Sequence, residues 1–158
     1  IKGDSRGPTL FRQTRIGLEG RPFQIYKFRS MVVNAARIGP YFTRDGDPRI
    51  TRIGRWLRRT SLDELPQLLN VLTGDMSLVG PRPITPNQLD QYTPDQQARL
   101  FSVPPGITGL AQVKGRSLLN HDETLYWDLY YADRHSLLLD LKILIGTAVM
   151  VIARKGTN

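Results

Sequence analysis

The chain reads as an α+β domain, mostly helical, with an N-terminal β-hairpin. Two observations lead there. Two β-prone runs flank a glycine-bearing turn within residues 9–31. Beyond residue 50, helical apolar spacing returns several times, separated by Gly and Pro. At 158 residues and 40% apolar content, the chain can bury one real core.

In the hairpin, "TLFRQTRI" and "RPFQIYKFRSM" enclose "GLEG". The second run alternates: Phe23, Ile25, Lys27 and Arg29 share one face, and Gln24, Tyr26, Phe28 and Ser30 the other. Such a strand runs from core into a charged cleft. A short helix over 34–38 follows, then a loop with Gly39, Pro40, Gly46 and Pro48. In "DPRITRIGRWLRRTS", Arg52, Arg55, Arg58 and Arg59 stack mainly on one side of a helix. That stripe reads either as a solvated basic face or as a site for an anionic partner.

Residues 62–73 are expected to be helical, with Leu65, Leu68, Leu69 and Leu72 as the apolar stripe and Gly74 as the stop. Pro66 suits only the first turn, so the helix should begin near Asp63. Residues 75–83 form a loop that holds Arg82 between two prolines. A helix is expected over 86–101, and a turn-rich, non-helical segment over 104–113. Helices over 120–134 and 136–154 end the chain. The apolar run 143–153, closed by Arg154 and Lys155, falls short of the ~20 residues a bilayer span requires. It reads either as a buried core helix or as a helix lying in a membrane interface. The opening lacks Met and any signal-peptide pattern, and reads as cut from a longer protein.

The formal charge of +8 suggests an anionic partner: nucleic acid, phosphorylated substrate or acidic lipid. The absence of cysteine excludes disulfides, thiolate metal sites and a cysteine nucleophile. With His121 and His135 the only histidines, a bound metal would have to prefer oxygen ligands.

Asp63 and Glu64 carry the chemical question. Ser61 and Glu64 fit the S-x-x-E capping box, a purely structural role that leaves Asp63 unassigned. Adjacent helical residues point about 100° apart, so the two carboxylates suit different jobs: one reacting, one holding a cation. A helix N-terminus and upstream arginines would favour an ionised carboxylate, which can attack phosphorus or carbon. Lys27, Arg29, Arg58 and Arg82 are the cations that could meet phosphate oxygens, provided they converge. Asp75 could instead absorb any of them in a surface ion pair.

Four blocks, "GPTLFRQTRIGLEGRPFQIYKFRSM", "RRTSLDELPQLLNVLTGDMSLVGPRP", "PPGITGLAQVKGR" and "DLYYADRHSLLLDLKIL", stand in an order that resembles the bacterial sugar transferases, the monotopic phosphoglycosyl transferases. The resemblance implies an enzyme that moves a phosphosugar from a UDP-sugar to polyprenyl (undecaprenyl) phosphate. Polyprenyl diphosphate sugar and UMP would be its products, at the cytoplasmic face of the bacterial inner membrane. It implies an Asp-Glu pair working with Mg²⁺ through a covalent aspartyl phosphosugar. Asp63 then matches the nucleophile, and Glu64 the partner implicated, with Asp63, in holding the metal. Lys27, Arg58 and Arg82 match substrate-binding positions, and Gln112 and Asp128 lie in matching blocks. Residues 1–158 would form one catalytic domain lacking an N-terminal re-entrant membrane helix, touching the membrane through amphipathic helices. The rival readings are a non-enzymatic polyanion (RNA)-binding module and a catalytically dead relative. No nucleic-acid motif is present for the first, and the intact Asp63–Glu64 pair argues against the second.

Overall fold

The computed structural model describes residues 1–39, 46–115 and 118–153. Among the described residues it is a mixed helix and strand fold with two two-stranded sheets and seven α-helices. Strand β1 (Leu10–Ile16) pairs antiparallel with β2 (Pro22–Phe28), Leu10 opposite Phe28 and Ile16 opposite Pro22. The loop between them is a short 3₁₀ turn in which Glu19 (φ 55°) and Gly20 (φ 73°) take the left-handed conformation that reverses the chain. The hairpin expectation holds.

Helix α1 (Ala35–Ile38) is one turn, as expected. The expected loop at Pro40 lies outside the described residues. Helix α2 (Arg52–Arg59) starts at Thr51, whose hydroxyl accepts from Gly54 N at 3.0 Å. Gly54 is required by a close approach: a Cβ there would lie 1.9 Å from Ser30 O. The helix therefore rests directly on the backbone that leaves β2.

Helix α3 (Gln67–Leu72) corrects two expectations. It begins after Pro66 and not near Asp63. Residues Leu62–Glu64 form a separate 3₁₀ turn, entered through Ser61 in the left-handed region (φ 56°) with no side-chain cap. The capping box is not made, because an N-cap needs extended φ/ψ. The leucine stripe also faces outward. Leu65, Leu68, Leu69 and Leu72 are 44–83% exposed, whereas Gln67 is 2% exposed and Asn70 fully buried. Asn70 explains the inversion: its Oδ1 accepts from Tyr26 N (3.1 Å) and its Nδ2 donates to Gln24 O (2.7 Å). One side chain thus occupies the free edge of β2 as a further strand would.

Strand β3 (Ser77–Val79) interrupts what was expected to be a loop. It pairs in parallel with β4 (Gly106–Thr108), Val79 opposite Thr108. A single helix over 86–101 is not formed. A 3₁₀ segment (Pro86–Gln91) precedes α4 (Pro94–Leu100), and each starts afresh at a proline behind a Thr capping box, Thr85 with Gln88 and Thr93 with Gln96. The segment 104–113 is not free of helix. After Gly109 the good helix formers of "LAQVK" make α5 (Leu110–Lys114).

Helix α6 (His121–Arg134) matches expectation, capped by Asn120 and Glu123. Helix α7 is Leu137–Ala153. The core gathers Val79, Val103, Leu110, Tyr131, Ala132 and Ile143, with Trp127, Leu139 and Leu144 against it. Tyr131 closes the polar side by donating to Asp140 Oδ1 at 2.7 Å. Only one stripe of α7 enters this core. Leu137, Leu138, Leu141, Ile145, Val149 and Ile152 are half to four-fifths exposed. No helix among the described residues is long and apolar enough to cross a membrane.

Candidate active site

Strand β2 and helix α2 deliver the cations to one place. Lys27, the penultimate residue of β2, donates from Nζ to Glu64 Oε1 at 2.7 Å, and both side chains are largely buried. Arg58 leaves the solvated face of α2 and donates from Nε to Ser30 Oγ at 2.9 Å. Its stripe mates Arg52, Arg55 and Arg59 stay exposed. The close contact at Gly54 is what brings this end of α2 to Ser30. Arg82, exposed on the Pro81–Pro83 loop, adds its positive field to Lys27.

The carboxylates sit inside this ring of cations. Burial pushes the Asp63 carboxyl above the usual carboxylate range. The adjacent Glu64 pushes the same way, and Lys27 and Arg58 oppose. This reverses the expected direction. Asp63 stands on a single 3₁₀ turn, so there is no long helix dipole to stabilise its charge. Burial likewise lowers Lys27, against the attraction of Glu64. Burial also works against the Arg58 charge, which Asp63 and Asp47 favour. The group is a compact set of opposed charges in which each carboxylate is held by cations from other elements.

Arg29, just beyond the end of β2, does not join it. Its guanidinium donates to Pro8 O (2.7 Å), Ser5 Oγ and Ser5 O (both 2.8 Å), fastening the N-terminal segment. Asp75 absorbs none of the site cations; Thr73 Oγ1 (2.8 Å) and Asn70 Nδ2 (3.4 Å) donate to it.

Gln112 and Asp128 approach from the second half of the chain. A crevice of about 150 Å³ is lined by Glu64 and Arg82 together with Thr108, Gln112 and Thr147, and by the apolar Leu65, Leu68 and Met150. Asp128 lies elsewhere, 6% exposed beneath the Arg82 loop, where it accepts from the Arg82 backbone N–H. Burial raises its pKa to about 7, with the Arg82 charge pulling down. The structure therefore brings together Lys27, Arg58, Asp63, Glu64 and Arg82, sets Gln112 in a crevice shared with Glu64 and Arg82, and puts Asp128 behind Arg82.

Sequence reasoning missed Ser30, Asn70, Thr108 and Thr147. Gln67 and Asn70 carried a usable signal: two amides three apart in a leucine-rich run mark a polar face as clearly as the leucines mark an apolar one.

Among the described residues no group of three or more Asp, Glu or His side chains is placed to hold a metal ion. Asp63 and Glu64 alone supply two hard oxygen donors. That number fits Mg²⁺, which commonly takes one or two carboxylates and fills its octahedron with water and substrate phosphate.

A family model described as bacterial sugar transferase matches residues 1–154. The chain is 50% identical over 159 residues to the UDP-glucose:undecaprenyl-phosphate glucose-1-phosphate transferase of Caulobacter vibrioides, covering 93% of this chain and 58% of that protein. It is 44% identical to the undecaprenyl-phosphate galactose phosphotransferase of Salmonella typhimurium, covering 95% of this chain and 34% of that protein. The galactosyl transferase CpsE of Streptococcus agalactiae is 45% identical, over 96% of this chain and 36% of its own length. The chain thus spans about a third of the latter two relatives. With a family model matched along nearly its whole length, and with the cations of three separate elements gathered around an Asp-Glu pair, the chain belongs to the bacterial sugar transferase family.

Proposed function

We propose that this chain is the catalytic part of a phosphoglycosyl transferase that moves a sugar phosphate from a UDP-sugar to undecaprenyl phosphate. The observation that carries the reading is the convergence of Lys27, Arg58 and Arg82 on Asp63 and Glu64, in a chain similar to enzymes named for that transfer.

Asp63 is the nucleophile. Its carboxylate oxygen attacks the phosphorus that bears the sugar. The bond from that phosphorus to the bridging oxygen breaks, and UMP leaves with the electron pair. The enzyme then holds an aspartyl phosphosugar. An oxygen of the lipid phosphate attacks the same phosphorus, the bond to Asp63 breaks, and polyprenyl diphosphate sugar departs with the carboxylate restored. No redox partner is needed. Lys27, Arg58 and Arg82 spread positive charge over the transferring phosphoryl oxygens, which is most of what such a reaction asks of a protein. Lys27 and Arg58 also favour the ionised form of Asp63, against its burial. Glu64, with Asp63, would hold Mg²⁺, which when bound neutralises phosphate charge.

The acceptor is a lipid, so the site must meet a bilayer. The outward leucines of α3 and the exposed apolar side of α7 border the crevice that contains Glu64, and they supply that contact at the cytoplasmic face of the membrane. The exposed Arg52, Arg55 and Arg59 add attraction to acidic headgroups. Nothing in the site favours the polyanion-binding module, since its inward-turned Arg58 serves the carboxylates.

The test is a mass measurement. Incubation with UDP-sugars and Mg²⁺ without lipid acceptor places a phosphosugar on Asp63. Asp63→Asn abolishes both adduct and UMP release; an Asp63→Asn protein with full turnover refutes the assignment.

A further inference from the structure

The crevice beside Glu64 carries a feature that charge stabilisation does not use. Gln112 Oε1 is buried there and has no hydrogen-bond partner among the described residues. Next to it, Thr147 Oγ1 donates to Ile143 O (2.8 Å), so the 2.7 Å contact between the hydroxyls has Thr108 donating to Thr147. Both hydroxyl protons are therefore committed inside the protein. Among the residues that line the crevice, the oxygens of Thr108, Gln112 and Thr147 are therefore left as acceptors, and Ile107, Leu65 and Met150 line it with apolar surface.

We propose that this crevice seats the sugar ring of the UDP-sugar, with Gln112 Oε1 accepting from a ring hydroxyl or N-acyl N–H and so setting sugar specificity. The inference rests on the proposed transfer reaction. Three chemical arguments lead to it. A buried acceptor without a donor is destabilising, so the ligand that belongs there brings a donor. An ionised phosphate has none, and neither has an isoprenoid chain. A pyranose has hydroxyl donors at its edge and a C–H face to lay on the apolar surface. The size agrees, since a cavity of about 150 Å³ takes a six-membered ring. The position agrees too. Glu64, the neighbour of the nucleophile, and Arg82 both line the crevice, and the sugar is attached directly to the phosphorus under attack. The uracil lies a ribose and a second phosphate further away.

The experiment uses the full-length protein in a lipid nanodisc, with UMP release measured for a panel of UDP-hexoses and their epimers and deoxy analogues. Gln112→Met lowers kcat/KM for the preferred UDP-sugar ~10- to 100-fold. It brings the analogue lacking the recognised donor to within about threefold of that sugar, because a site that hydrogen-bonds a hydroxyl rejects its absence and an apolar site does not. The KM for undecaprenyl phosphate and the inhibition constant of UMP stay at wild-type values. Thr147→Val, which keeps shape and removes the hydroxyl, erodes the same discrimination to a smaller degree and guards against a local folding defect at Gln112. Retained discrimination in Gln112→Met overturns the proposal. So does a raised KM for the lipid phosphate, which would assign the crevice to the isoprenoid, or a raised UMP inhibition constant, which would assign it to the base. Absence of UMP release from every UDP-sugar by the wild-type protein is a different failure: it refutes the transfer reaction itself, and this assignment falls with it.

Discussion

Replacing Asn70 with Ala tests the structural claim on which the site depends. The Asn70 side chain is fully buried and completes two backbone groups of β2, Tyr26 N–H at 3.1 Å and Gln24 C=O at 2.7 Å. Removing it strips both at once. Each stranded group costs about 1–3 kcal/mol, and water reaching the truncated site recovers part of that. The expected loss is ~3 kcal/mol, a large share of the 5–15 kcal/mol that stabilises a typical domain. Urea unfolding of wild type and variant gives the difference directly, with an unchanged slope showing that the unfolding reaction is the same. Function should fall further than stability alone demands. Tyr26 precedes Lys27, and α3 follows Glu64 by three residues, so Asn70 sets the spacing of the 2.7 Å ion pair. A loss below about 1 kcal/mol, or a stable variant with wild-type turnover, refutes the claim that this amide ties the dyad to the strand.

Four further outcomes follow from the same contacts. Gly54→Ala places a Cβ 1.9 Å from Ser30 O, so α2 must lift away; thermal unfolding should show ~3 kcal/mol of destabilisation, and Arg58 should lose its seat on Ser30. Lys27→Met removes a cation facing both Glu64 and Asp63 and should lower kcat by ~10²-fold in the UMP-release assay. Asp128 makes stability depend on pH: its folded pKa of about 7 exceeds the unfolded 3.8, so the native state keeps a proton that the unfolded chain has released. Its contribution therefore falls as pH rises from about 4 to 7, by on the order of 4 kcal/mol, and Asp128→Asn should be more stable than wild type at pH 8 and nearly equal at pH 4. Leu69→Ser with Leu72→Ser should leave unfolding unchanged, since both are at least half exposed, yet weaken binding to acidic vesicles by ~10-fold or more in a flotation assay.

The hairpin and α6 were legible because their signals are local. A glycine turn between alternating runs and an Asn-x-x-Glu box each specify structure within a few residues. The break at Pro94 was missed although its signal is equally local: Thr93 before the proline marks a fresh helix start. The orientation of α3 was not legible. Leucine spacing reports a period but not which side is wet, and the partners of Asn70 lie 44 and 46 residues away. The site divides in the same way. Asp63 and Glu64 stood out as residue types, and the family resemblance assigned them roles. That Lys27 would face Glu64 while Arg29, two residues on, turned to Ser5 and Pro8 depends on tertiary contacts. The pKa direction at Asp63 failed for a physical reason: burial outweighs cations whose own charges are partly spent on Glu64 and Asp47.

The amide of Asn70 also bears on how the protein behaves in a crowded solution. A two-stranded ribbon ordinarily leaves a row of open backbone groups along each flank, a template onto which another chain can pair. On β2 that row is occupied at its centre by a side chain, from a helix whose outer surface is itself leucine-rich. Loss of Asn70 would therefore expose a sticky strand edge beside a greasy surface, two features that together favour self-association. The Asn70→Ala protein is expected to aggregate at concentrations where wild type stays dispersed, even under conditions in which most of its molecules are still folded.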